Sequence, residues 1–150
     1  MEEPIKALLA TFLFQDLSPA EVEPLAARTT TLSLRSGQFL HRAGDPAGEV
    51  WVLTSGQLKA WMPSEGGEEF VFDVLVPPQL MGLPGVFAQA RTRLINTVAT
   101  QESSLITVPA TALRETMRTH PAVTWRALER LAEIARSYSD ALLDVAYSNV

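Results

Sequence analysis

The apolar residues of this chain change their period twice, from helical to alternating and back. Ile5, Leu8, Leu9, Phe12 and Leu13 recur at helical spacing and predict a first helix over Ile5 to Phe14. Ser18-Pro19-Ala20-Glu21 reads as a second start, with a serine to cap, a proline suited to the first turn and a glutamate able to reach back to the Ser18 amide. That helix is expected to fade near Arg28, where Thr29-Thr30-Thr31 brings in strand-favouring β-branched side chains. Short strands are predicted at Thr30–Leu34, Phe39–Arg42, Val50–Ser55, Gln57–Met62, Phe70–Val76, Ile95–Thr100 and Ser104–Val108. Ser36-Gly37, Gly44-Asp45-Pro46, Ser55-Gly56, Gly66-Gly67 and Pro77-Pro78 punctuate them, the pattern of an all-β roll. Helical spacing then returns at Ala110–Thr119, with Leu113 and Met117 inward, and His120-Pro121 opens a last helix to about Tyr147.

The last helix is the longest, roughly 40 Å by its rise per residue. Leu128, Leu131, Ala135, Tyr138, Leu142 and Val145 alternate spacings of three and four, which suits a two-helix seam and predicts a homodimer. Ala127, Ile134 and Ala141 form a flanking line that can touch the roll. The alternative is a helix that packs only on its own domain.

Composition narrows the function. The chain has 150 residues, 47% of them hydrophobic, enough for one packed core and too few for two ordinary domains. A net charge of −5 argues against this piece gripping a phosphate backbone. Without cysteine there are no thiolate metal sites, iron–sulfur clusters or disulfides. The start Met-Glu-Glu lacks a basic n-region, and no apolar run approaches the ~18 residues that span a bilayer. A cytoplasmic protein with no membrane contact is expected. No nucleophile–base pattern, P-loop or dinucleotide fingerprint occurs, so no enzyme is expected. Gly66-Gly67 lies among Glu65, Glu68 and Glu69, a hairpin tip that repels phosphate.

One segment carries candidate chemistry. Gly82-Leu-Pro-Gly-Val-Phe opens a short helical turn, and Arg93 follows eleven residues after Gly82 at the expected start of the next strand. Together with Arg35-x-Gly37, Gly44-Asp45 and Val50-Trp51-Val52-Leu53-x-x-Gly56-x-Leu58-Lys59, this order resembles the cyclic-nucleotide-binding domain of Crp/Fnr-type transcription regulators, from about Leu8 to Val145. The resemblance implies a mainly β fold with flanking helices: one sensory domain over residues 1–150. Its helices lie within 4–28, its double-stranded β-roll (jelly roll) over 29–108 with a cassette at 82–93, and closing helices at 110–119 and 121–147. It also implies that the long helix is a dimerisation helix and that DNA is met only through a helix-turn-helix domain outside this chain, which would make the chain a truncated fragment or a single-domain relative.

In that family a glutamate after the glycine takes the ribose hydroxyl and an Arg-Ser pair holds the cyclic phosphate. Gly82 and Arg93 match, whereas Leu83 stands at the glutamate position and Leu94 at the serine position. A buried ligand oxygen facing leucine loses its partner at about 1–3 kcal/mol per group, so weak binding of cyclic AMP is expected. A more apolar or differently charged small-molecule effector is the alternative, and so is a pocket collapsed around Leu83, Val86, Phe87 and Leu94. Arg93 can fork onto a phosphate or carboxylate, pair with a nearby acid, or cap the C-terminus of the cassette helix. Arg91 lies close and is expected to face solvent. By the resemblance Tyr138 and Ser139 reach over the roll to the ligand, although a tyrosine at a seam position also serves packing.

His41 and His120 are the only histidines; they do not make the cluster a cupin enzyme needs, and both are expected to be structural. Three rivals remain: a true cyclic-nucleotide sensor using Arg93, Arg91 and backbone amides, a metal-dependent cupin, and a ligand-independent dimer module.

Overall fold

The computed structural model describes residues 1–148. Two four-stranded antiparallel sheets face each other. One is ordered β1 (Thr30–Leu34), β8 (Ser103–Pro109), β3 (Glu49–Ser55), β6 (Gln79–Met81). The other is ordered β2 (Phe39–His41), β7 (Asn96–Ala99), β4 (Leu58–Pro63), β5 (Glu69–Leu75). Helices α1 (Glu2–Leu9), α2 (Pro19–Ala26), α4 (Ala110–Thr119) and α5 (Pro121–Ser148) flank them, and α3 (Leu83–Phe87) is the short cassette helix. The expected β-roll with a long closing helix is the observed fold.

β3 explains how one strand organises two cores. Val50 and Val52 face the helices and join Leu8, Phe14, Val22 and Leu113, while Trp51 and Leu53 face the opposite sheet and join Leu58, Leu75 and Leu105. Both of its faces are buried, which is why it reads as an unbroken apolar run rather than an alternation. α2 starts as its residues predict: the Glu21 amide donates to Ser18 Oγ at 3.2 Å, and the Ser18 amide donates to Glu21 Oε1 at 2.9 Å.

Three expectations need correction. The first helix ends at Leu9 rather than Phe14, because the Thr11 hydroxyl donates to the Leu8 carbonyl at 2.7 Å and Phe12–Phe14 winds into a tighter 3-10 turn. β6 was not expected; three residues after two prolines are too short to show a period, yet they pair with β3. Arg93 does not begin a strand. It lies before β7 in an irregular segment tied to the Gly44 turn, its amide donating to the Asp45 carbonyl at 2.8 Å and its carbonyl accepting from the Gly44 amide at 2.8 Å.

Candidate ligand cavity

Arg93 is the most constrained charged side chain of the cassette, only 4% exposed. Its Nη1 donates to the Gly82 carbonyl at 3.1 Å and its Nη2 to the Glu49 carbonyl at 2.6 Å. Glu49 Oε1 lies 3.6 Å from Nη2, and the guanidinium sits over Trp51, 4.5 Å from the ring centre. Two glycines make this room. A Cβ on Gly82, whose φ is +106°, would meet Nη1 at 3.1 Å, and one on Gly85 would meet Nη1 at 3.0 Å and the Ala47 Cβ at 2.9 Å. Burial pulls the Arg93 pKa down, opposed by Glu49. These contacts make Arg93 a post joining the cassette to β3.

His41 stacks on Trp51 with ring centres 5.7 Å apart. Burial, then the charge of Arg93, pushes its pKa down to about 4, so the ring is neutral near pH 7. His120 instead faces Glu21, Nδ1 to Oε2 3.6 Å, at the junction of α4 and α5. Among the described residues no group of three or more His, Cys, Asp or Glu is placed to hold a metal ion.

A cavity of about 310 Å³ lies between the cassette, the sheet containing β4 and β5, and α5. Gly82, Leu83, Arg93, Leu94 and Tyr138 all border it. Ser139 does not; it is exposed, and its hydroxyl donates to the Ala135 carbonyl at 2.9 Å. Arg130, Glu133, Ile134 and Ser137 border the cavity instead. These four and Tyr138 share one face of α5 at spacings of three and four, a signal present in the sequence but overshadowed by its more apolar neighbours. The collapsed-pocket alternative does not describe the chain: Leu83 and Val86 are buried in the core, but Leu94 is 65% exposed and plugs nothing. Arg91 is exposed, as expected.

The seam of α5 divides into two faces. Leu131 packs against the core of its own chain, and Tyr138 lies 5.1 Å from the Phe72 ring on β5. These two positions of the expected seam therefore face the chain's own domain, on the same buried side of α5 as Ala127, Ile134 and Ala141. Leu128, Ala135 and Leu142 face outward, in line with Trp125 and Ala132 at heptad spacing. Val145 is 45% exposed near the end of the helix.

Residues 31–120 match the cyclic nucleotide-binding domain family, and the chain belongs to it. It is similar to the transcriptional activator protein Anr of Pseudomonas aeruginosa, 34% identical over 82 residues that cover 55% of this chain and 33% of that one. The match thus spans about a third of that relative's length. The fold is similar to the sensor domain of the transcriptional regulator DNR from Pseudomonas aeruginosa, with a TM-score of 0.80, 22% identity and coverage of 93% of this chain and 95% of that one. It is also similar to the N-terminal domain of a transcriptional regulator from Streptomyces coelicolor, with a TM-score of 0.70, 26% identity and coverage of 91% and 94%. No helix among the described residues is long and apolar enough to cross a membrane.

Proposed function

We propose that this domain is the effector-sensing and dimerisation module of a Crp/Fnr-type transcription regulator, with a pocket that does not hold cyclic AMP tightly. One observation carries the reading. The same helix, α5, borders the cavity with one face and presents the apolar line of Trp125, Leu128, Ala135 and Leu142 with another. A small molecule that contacts α5 from the roll in one helix arrangement and not in another shifts the balance between them. Through a second copy packed on the outward face, that shift resets how two helices cross, and with it the spacing of DNA-binding domains outside this chain. The similarity to an activator and to regulator sensor domains supports the regulatory assignment.

The cassette argues against a cyclic phosphate. To fork onto one, Arg93 must release the Gly82 and Glu49 carbonyls, and Leu83 offers no acceptor for a ribose hydroxyl. The rival, a true cyclic-nucleotide sensor, draws on the family match and on Arg93 standing at the cassette. Sedimentation of the chain at micromolar concentration tests the module: a dimer is expected, and a monomer contradicts it.

A further inference from the structure

Beyond Arg93, held by the Gly82 and Glu49 carbonyls, the charged side chains bordering the cavity are Asp73 from β5 and Arg130 and Glu133 from α5. None of the three is ion-paired among the described residues, and Asp73 and Glu133 are exposed. Asp73 and Arg130 both border the cavity alongside Tyr138, and both act on the Tyr138 hydroxyl. Burial chiefly raises the Tyr138 pKa, keeping that hydroxyl a neutral donor. Leu75, Leu80, Leu83 and Ile134 supply apolar wall beyond. A volume of about 310 Å³ equals about ten waters of liquid, room for a small organic molecule.

We propose that this cavity takes a small zwitterion with an apolar body, a free α-amino acid with an aliphatic or aromatic side chain. Its ammonium sits at Asp73 with Glu133 nearby, its carboxylate at Arg130, and its side chain on Leu75, Leu80 and Ile134. A simple anion meets two carboxylates, and a simple cation leaves Arg130 without a partner, so either pairs with one side of the cavity and is repelled by the other. Only a molecule carrying both charges close together answers both sides. Because Asp73 stands on the roll and Arg130 and Glu133 on α5, such a ligand ties the helix to the roll. The inference rests on the sensory reading above and names its ligand class.

The test is calorimetric titration of the intact chain with L-leucine, L-methionine and L-phenylalanine, beside 3-phenylpropionate, which lacks the amine, and phenethylamine, which lacks the carboxylate. At least one amino acid is expected to bind, and phenylalanine at least about tenfold more tightly than either half-charged analogue. Asp73→Asn and Arg130→Gln each weaken that binding about tenfold or more, while Arg118→Gln, on α4 away from the cavity, leaves it unchanged. Circular dichroism of each variant checks that it is folded. No binding by any of the three amino acids, equal binding by an analogue, or indifference to both cavity variants overturns the proposal. Sedimentation of the same samples separates the failures: a dimer that binds none of them removes only the ligand class, whereas a monomer removes the sensory module itself.

Discussion

Replacing Arg93 by alanine separates a structural post from a ligand-binding arginine. An arginine kept for an incoming phosphate leaves the empty domain nearly as stable when it is removed. Here the loss strands two carbonyls, those of Gly82 and Glu49, in a part-buried setting, and opens a void beside Trp51 and the two glycines. Each unsatisfied carbonyl costs about 1–3 kcal/mol. The expected loss from the two is therefore about 2–6 kcal/mol, a large part of the roughly 5–15 kcal/mol that holds a domain together. Glu49→Gln serves as the control. The strongest contact from Glu49 is its backbone carbonyl at 2.6 Å, its carboxylate stands at 3.6 Å and is partly exposed, and the variant is expected to lose less than about 1 kcal/mol. Urea unfolding followed by tryptophan fluorescence measures both. A loss below about 1 kcal/mol for Arg93→Ala would refute the reasoning.

Two further outcomes follow from other parts of the molecule. Leu128→Asp with Leu142→Asp, both exposed in the single chain, is expected to weaken self-association about a hundredfold or more while leaving the melting temperature of the monomer little changed; sedimentation equilibrium with circular dichroism checks it. His41 has a folded-state pKa of about 4 against about 6.5 unfolded, so the unfolded chain binds the extra proton first. Stability is thus lost as pH falls from about 6.5 to 4, by about 3 kcal/mol from this group, and urea unfolding across that range should show a shallower fall for His41→Gln; an equal fall in both proteins contradicts the assignment.

The elements that announced themselves did so through chemistry confined to a few neighbouring residues. The Ser18 capping box and the paired Gly-Asp and Ser-Gly turns needed no distant partner to be read, and the strands between them follow within a residue or two. Most of what escaped was decided by long-range packing. β6 exists only because β3 offers its edge. The first helix is cut short by a threonine whose hydroxyl competes for the Leu8 carbonyl. The seam positions Leu131 and Tyr138 have the right spacing and the wrong direction, since periodicity shows that a face is apolar and not which of two surfaces it meets. The cassette residues Gly82, Leu83, Arg93 and Leu94 were all placed at the cavity's border, but Arg93's commitment to Glu49 depends on a residue 44 positions away. The resemblance points to Ser139, but that position lies on the far side of α5, and Ser137, two residues earlier, borders the cavity instead.

The central claim, that two carbonyls hold the cassette's arginine within the fold and weaken its grip on a cyclic phosphate, meets its most direct test in one calorimetric titration. Cyclic AMP is titrated into the unmodified chain at neutral pH. The expected result is an affinity weaker than about 100 μM, or less than about 5.5 kcal/mol of binding free energy. Micromolar binding would contradict it, showing that Arg93 exchanges its two carbonyls for the phosphate and that the domain senses a cyclic nucleotide after all.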